Sequence, residues 1–201
     1  MQDKPYSQAC ENNKRYILPI IQHAFVNCHE VLEVGSGTGQ HAVYFAPNLT
    51  NLIWQPSDLI ENHTGIKRWL NEFPEHNLML PITLDLSYPW QTQLQQSYDG
   101  IFTANTLHIV SWPLVINFFQ GIKEFLNKNG TLCIYGPFKY QGDFTTQSNA
   151  NFDLWLKARD PQSGVRDFEA ICQLAADADL TLIADHSMPA NNQLLVFAKI
   201  N

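Results

Sequence analysis

Between positions 30 and 39 the chain runs from Glu30, Val31, Leu32, Glu33 and Val34 straight into Gly35, Ser36, Gly37, Thr38 and Gly39. A short apolar run that stops in glycines reads as a buried strand opening into a tight turn. Ala42, Phe45, Ala46 and Leu49 then recur at helical spacing, so the unit is strand, glycine loop, helix. Glycine suits such a turn because the backbone must enter positive φ and let N–H groups approach a ligand with no Cβ in the way.

The rest of the sequence keeps the alternation. Residues 16–25 predict a helix interrupted or kinked at Pro19. Residues 51–54 predict a second strand that closes over 55–58, followed by a helix over 63–73. A third strand is expected over 79–86, ending at Asp85 despite Pro81, and a fourth over 101–104. The clearest helix has Ser111 as cap and Pro113 in its first turn. Its apolar stripe runs through Val115, Phe118, Phe119, Ile122, Phe125 and Leu126, and Gly130 lies just past its end. Residues 131–135 read as the fifth strand, 168–178 as a helix, and 180–184 with 194–198 as two closing strands.

Strands alternating with helices imply a parallel sheet covered on both faces, and the short closing turn over 189–192 makes the last strand antiparallel. The expected class is α/β: a doubly wound sheet with a terminal hairpin, organised as a single domain over 1–201. The polar connection 138–167 is longer than this topology needs, and it is expected to carry a helix over 149–158.

Ligands of open α/β sheets bind outside the carboxyl ends of the strands, which places the glycine loop at the expected site. A dinucleotide fingerprint wants Gly-x-Gly-x-x-Gly, but here the third glycine comes one position early and Gln40 stands in its place. A triphosphate loop wants a lysine, and none is present. Residues 16–66 contain no Lys and no Arg, while Glu30, Glu33, Asp58 and Glu61 fall within them. That stretch suits a cofactor with cationic centres.

The whole chain agrees in sign. Twelve basic against 19 acidic residues give a net charge of −7, which repels phosphate backbones and anionic lipid within a Debye length of ~8 Å. Nucleic acid and membrane are therefore not expected as partners. No apolar run approaches the ~20 residues of a membrane span, and the first ten residues lack a signal-peptide layout, so a cytoplasmic location is expected. Cys10, Cys28, Cys133 and Cys172 form no close pair, and the seven histidines form no clustered ligand pattern, so no metal is expected.

S-adenosylmethionine carries a sulfonium, an ammonium, a ribose diol and an adenine, with no phosphate, and the sequence offers an acceptor for each. Glu33 ends the first strand, where a carboxylate can face the amino-acid portion. Asp58 lies 19 residues after Gly39, near the ~20-residue offset at which an acid meets ribose hydroxyls. Asp85 can accept from the adenine amino group, and Asn105 follows the fourth strand, where its side-chain carbonyl can hold cofactor or substrate.

These residues carry a resemblance. Glu33 to Gly39, Asp58, Asp85 with Leu86, and Asn105-Thr106-Leu107-His108 are similar to the ordered motifs of class I S-adenosylmethionine-dependent methyltransferases. Within that class the chain resembles the methyltransferase-like protein 26 group, a small family formerly a domain of unknown function. The shared phrases include Glu11-Asn12-Asn13-Lys14-Arg15, Gly39-Gln40-His41-Ala42, Trp54-Gln55-Pro56-Ser57-Asp58 and Tyr135-Gly136-Pro137-Phe138. Others are Ser148 to Asp153, Ala158-Arg159-Asp160-Pro161 and Met188 to Asn192. The resemblance implies a seven-strand, Rossmann-like methyltransferase sheet and a cofactor site holding Gly35, Ser36, Gly37 and Gly39, but no particular acceptor.

In methyl transfer the cofactor supplies the activated carbon, and the protein supplies alignment, desolvation and at times a base. His108 is the candidate base, against the alternative of a structural histidine. Tyr135, closing the fifth strand, is either a second catalytic group or a wall. The amino-methyltransferase phrase Asn-Pro-Pro-Tyr is absent after the fourth strand, which again disfavours nucleic-acid bases. The insertion places Asn149 and Phe152 on the acceptor side, with Phe144 and Trp155 as further walls, and the hairpin brings in Asn191 and Asn192. Arg15, Arg159 and Arg166 lie in segments that can border the cleft, where guanidinium groups suit an anionic small-molecule acceptor. The competing account pairs Arg159 with Asp160 and Arg166 with Asp167 in surface ion pairs. Two functional rivals remain at this point: a cofactor-binding module without turnover that acts through a partner, and a nicotinamide oxidoreductase.

Overall fold

A computed structural model describes residues 4–200. The first helix, α1 (Gln8–Ala24), is capped by Ser7, whose hydroxyl accepts from the Cys10 amide at 3.3 Å. It begins eight residues before the expected start. Its buried stripe is Asn13, Ile17 and Ile21, spaced i, i+4, i+8, and the polar Asn13 hides the first turn from an apolar pattern. The helix also runs through Pro19 unbroken. Pro19 and Arg15, the residue whose carbonyl loses its partner, are both exposed, while the buried Ile17 and Ile21 hold the opposite face.

The strands β1 (Glu30–Val34), β2 (Ile53–Asp58), β3 (Ile82–Thr83), β4 (Tyr98–Ala104) and β5 (Leu126–Gly136) are followed by β6 (Phe138–Tyr140) and β7 (Asp143–Phe144). Next come β8 (Arg166–Asp167), β9 (Leu180–Met188) and β10 (Asn192–Lys199). The intervening helices are α2 (Gln40–Phe45), α3 (His63–Glu72), α4 (Trp112–Phe125), α5 (Gln147–Arg159) and α6 (Phe168–Asp177). Seven strands form the main sheet in the order β3-β2-β1-β4-β5-β10-β9, in which β10 alone runs antiparallel to its neighbours. The expected doubly wound sheet with a terminal hairpin is the observed one. A second, unexpected sheet of order β7-β6-β8 lies within the long connection.

Several boundaries differ from expectation, β4, β5 and β9 being longer than expected. β2 continues through Pro56 to Asp58, and β3 shrinks to two residues. The bonds Met79 N–H to Trp54 O and Leu84 N–H to Asp58 O, both 3.0 Å, flank Pro56, so its missing N–H falls where the β2–β3 ladder is already open. Asp85 therefore follows β3 by two residues instead of ending it. α4 stops at Phe125, and Gly130 is not its cap. A Cβ there would stand 2.7 Å from Asn127 O and 2.9 Å from Asp99 O, so glycine permits a close crossing of chains beside the irregular start of the β4–β5 pairing.

Strand alternation sends Leu32, Val34, Ile101 and Ile134 to one face, against Val115, Phe118, Phe119 and Ile122 of α4 and Ile171 of α6. Val31, Phe102 and Cys133 go to the other, against Ile17 and Ile21 of α1 and Phe45 of α2. On that second face the rings of Phe45, Trp54 and Phe102 pack with centroids 5.5 to 5.6 Å apart. Among the described residues no helix is long and apolar enough to cross a membrane.

On the first face, Trp90 lies flat against Gly121 of α4, and a Cβ at Gly121 would stand 2.2 Å from its ring. Neither the buried indole nor the helix backbone has room to yield. Gly121→Ala should therefore destabilise the protein by about 1–3 kcal/mol despite its gain in helix propensity. Urea unfolding reads this directly, and an unchanged midpoint would refute the packing account.

Candidate active site

Strand order reverses between β1 and β4, so their carboxyl ends leave a crevice. It holds a cleft of about 410 Å³, within the ~300–1,000 Å³ typical of small-molecule sites. Val34 and Gly35 form its floor, and Asp58, Leu59 and Asn62 rise from the end of β2. Leu84, Asp85 and Leu86 follow β3, and Asn105, Thr106, Ile109 and Val110 follow β4. No lysine or arginine is among its lining residues.

All three glycines of the loop have positive φ, 75°, 58° and 88° in order. A Cβ at Gly35 would stand 2.7 Å from Thr106 Oγ1, so this glycine lets the loop touch the turn after β4. A Cβ at Gly37 would meet nothing within 4 Å, so the middle of the loop faces open space. The amides of Gly35 and Ser36 both donate to Ser57 O at 3.0 Å. The Gly37 amide donates to Asp58 Oδ2 at 2.6 Å, while Asp58 Oδ1 accepts from the Leu59 amide and Asn62 Nδ2, each at 2.7 Å. Asp58 thus ties the loop to the approach to α3; Oδ1 already accepts two bonds, and Oδ2, with one, keeps lone-pair capacity.

Glu33 occupies a different position from the other acids. It is 2% exposed and lies beneath the loop, where one carboxylate oxygen accepts from Ser36 Oγ at 2.9 Å and Trp54 Nε1 at 3.0 Å. Burial pushes its carboxyl up to about 7, although both hydrogen bonds pull the other way. Asp85 accepts the Ser87 amide at 2.8 Å, and Gln93 clamps its backbone at 2.7 and 2.9 Å. Asn105 takes a left-handed conformation, φ 57°, held by its amide donating to Tyr135 O at 2.9 Å.

The residues expected on the acceptor side fall into two groups. His108 is 5% exposed and meets the edge of Phe152 at 5.4 Å, and Phe152 stacks on Trp155 at 5.7 Å. Burial, reinforced by the Arg166 guanidinium, lowers the imidazole to about 4, so it is neutral at pH 7. Tyr135 is bonded by Asn13 and Asn192, and burial raises its phenol, keeping it protonated. Asn149 Nδ2 donates to Thr145 Oγ1 and to Asn191 O, both at 3.0 Å, joining α5 to the β9–β10 turn. Asn192 also donates to Pro189 O and Ala190 O, which shapes that turn.

Arg15 and Arg159 stand apart from both groups. Both are exposed: Arg15 packs on its neighbour Tyr16, and Arg159 on Trp155 at 4.6 Å. The expected ion pairs are not formed. Among the described residues neither Arg159 nor Arg166 bridges the aspartate that follows it, and Arg166 donates to main-chain carbonyls instead.

One set of residues escaped the sequence reading as site-forming. Gln40 Nε2 donates to Glu11 Oε1 at 2.6 Å, and His41 Nε2 meets Asn13 Oδ1 at 2.7 Å. These four fix α1 across α2 and bring Asn13 to Tyr135. Their signal was the pair of polar phrases Glu11 to Arg15 and Gly39 to Ala42, which no periodicity explains.

A family model described as "Protein of unknown function (DUF938)" matches residues 4–199. The chain belongs to that family. This accords with the resemblance to a group formerly a domain of unknown function. Solved structures give the fold. An O-methyltransferase family protein from Burkholderia thailandensis superposes with a TM-score of 0.82 at 14% identity, covering 94% of this chain and 56% of that one. Human N-acetylserotonin methyltransferase in complex with SAM gives 0.80 at 13%, covering 96% and 53%. An O-methyltransferase from neocarzinostatin biosynthesis, in complex with S-adenosyl-L-homocysteine and 1,4-dihydroxy-2-naphthoic acid, gives 0.76 at 16%, covering 96% and 55%. The family member described here thus has the class I methyltransferase fold and spans about half the length of the structures it matches.

The buried acid has a signed pH consequence. Glu33 is raised from 4.5 to about 7 on folding, so its stabilising proton is fully present below pH 4.5 and lost as pH rises through 7. His41 and His108, both lowered by burial to about 4, act oppositely: their contribution is intact above 6.5 and lost as pH falls through 4. Glu33→Gln keeps an acceptor for Ser36 and Trp54 but removes the buried charge. At pH 8 it should stabilise by up to about 3 kcal/mol, at ~1.4 kcal/mol per unit, with no gain at pH 4. Paired denaturation curves at the two pH values measure this, and an equal shift at both would refute it.

Proposed function

We propose that the protein is a single-domain S-adenosylmethionine-dependent methyltransferase that acts on a small, polar or anionic acceptor in the cytoplasm, with neither nucleic acid nor membrane as partner. The carrying observation is the cleft's donor set. Carboxylates follow β2 and β3, apolar side chains line the walls, no cationic side chain intrudes, and the glycine loop faces open space at Gly37. A phosphate-bearing cofactor gains least from such a lining, and a cationic one without phosphate gains most. In this reading Asp58 holds the ribose hydroxyls and Asp85 with Leu86 the adenine edge. Leu84, Ile109 and Val110 enclose the ring, and Gly35 to Gly39 with Glu33 beneath them carry the amino-acid portion.

When bound, that cofactor supplies a methyl group already activated on a sulfonium sulfur. The chain's own residues supply what the displacement still needs. His108, neutral at physiological pH, accepts the proton of an acceptor hydroxyl, amine or thiol. Tyr135 stays a neutral donor, oriented from both sides by Asn13 and Asn192. Phe152 and α5 keep water from His108, and Asn149 holds the Asn191 turn against α5. Arg15 and Arg159, exposed on the surface, add positive charge that attracts an anionic acceptor. The small-molecule complex of the neocarzinostatin enzyme, on the same fold, supports a small acceptor here.

Titration calorimetry with S-adenosylhomocysteine should give saturable binding. Asp58→Ala should weaken it about 10- to 100-fold, the range expected for losing charge-assisted hydrogen bonds, with unchanged circular dichroism. No saturable binding by the unmodified protein would defeat the reading. Labelled methyl transfer into the small-molecule fraction of a cell extract tests the chemistry. There His108→Gln should lower the rate about 10²-fold or more while S-adenosylhomocysteine affinity stays within twofold.

A further inference from the structure

The turn after β4 carries Leu107, His108, Ile109 and Val110. Its four successive carbonyls all accept from one distant segment, residues 163–166. Arg166 Nε donates to Leu107 O at 2.8 Å, the Gly164 amide to His108 O at 2.9 Å, Ser163 Oγ to Ile109 O, and Arg166 Nη2 to Val110 O. A second bond from Arg166 Nη2 reaches Gln162 O at 3.0 Å, and its guanidinium sits 5.9 Å from the Trp112 ring at the start of α4. Only a planar fork spans the first and last carbonyls of one turn; an ammonium on a flexible stem reaches one of them at a time. Four such carbonyls, three of them on residues that are buried or half-buried, would otherwise lack partners.

The same segment is fastened to α5. Asp153, 3% exposed and paired with Lys157 at 2.7 Å, accepts the Val165 amide at 2.8 Å. A Cβ at Gly164 would stand 2.9 Å from the same carboxylate, so glycine allows the close approach. One residue earlier on α5, Phe152 touches the His108 ring. The turn is thus shared: Ile109 and Val110 line the cleft, His108 faces α5, and the backbone between them is gripped by Arg166.

We propose that Arg166 is a positioning residue that clamps the 107–110 turn to the segment fastened on α5, so that filling the cleft orders the acceptor face through this clamp. The first half stands on the hydrogen bonds alone; the second rests on the cofactor reading of the cleft. By linkage, whatever loosens the clamp weakens cleft binding by the amount that cleft binding tightens the clamp.

Hydrogen exchange on the full chain tests it. The reporting amides are those of Ile109 and Val110, which donate to Thr106 O, and Gly164, which donates to His108 O. Without ligand, Arg166→Ala should speed exchange at these three about tenfold, the size expected for lost charge-assisted bonds. Arg166→Lys, which keeps charge but not the fork, should do the same. With S-adenosylhomocysteine, the unmodified protein should gain protection both at 35–39 and along α5. In Arg166→Ala the protection at 35–39 should persist, that along α5 should vanish, and affinity should fall about tenfold. Should Arg166→Ala not fold, Ser163→Ala removes the Ile109 link alone and should speed Ile109 and Gly164 by a few-fold.

Exchange within twofold of the unmodified protein at all three amides, or full rescue by lysine, would overturn the clamp. Unaltered α5 protection in Arg166→Ala would overturn the coupling. If the unmodified protein fails to bind S-adenosylhomocysteine while the three amides still answer to Arg166, the methyltransferase reading falls and the clamp stands.

Discussion

A loop with three left-handed glycines in five residues has no shape of its own, because glycine gives up more conformational freedom than any other residue when it is fixed. Here the shape comes from the neighbouring strand. Ser57 O takes the amides of Gly35 and Ser36, and the Asp58 carboxylate takes that of Gly37 while also holding Leu59 and Asn62. The parallel pairing of β1 with β2, down to Val34 opposite Ser57, brings these partners to the loop. The cleft floor is therefore a product of sheet register. A one-residue slip would move Asp58 to the far face and leave the loop unsupported.

The chain's use of amides in place of ions has a structural meaning. Thirty-two amide residues accompany 31 charged ones, and many of the amides cross-link backbone rather than decorate the surface. Asn77 Nδ2 lies within 2.8 to 3.1 Å of three carbonyls, those of Ala46, Leu49 and Leu52. Gln93 clamps Asp85, Asn149 ties α5 to the hairpin, and Gln40 binds α1 to the glycine loop. An amide can donate and accept at once and is buried without the desolvation penalty of a charge, so it suits linkers near a site that must stay free of competing cations.

Local pattern carried much of this structure. β1 and the start of α3 fall where apolar runs and spacing place them, and the acids after β2 and β3 both reach the cleft. Legibility ended where partners are distant or polar. The first turn of α1 is hidden by Asn13, whose burial depends on His41 and Tyr135 and not on its own hydropathy. β3 is cut short beside Pro56, which leaves the β2–β3 ladder without a donor. Arg166 next to Asp167 reads either as a cation bordering the cleft or as half of an ion pair, yet its fork serves carbonyls some sixty positions upstream. A backbone acceptor leaves no trace in side-chain identity, so no spacing rule could have found it.

Tyr135 is held between Asn13, from the first helix, and Asn192, from the last strand. Helix α1 and strand β10 thus converge on one phenol. β10 is also inserted inside the sheet, between β5 and β9, and not added at its edge. During synthesis, β5 keeps an open edge until Asn192–Lys199 has emerged, and the acceptor face is assembled only at that moment. β10 therefore decides between a closed sheet and one that offers the edge of β5 to other chains.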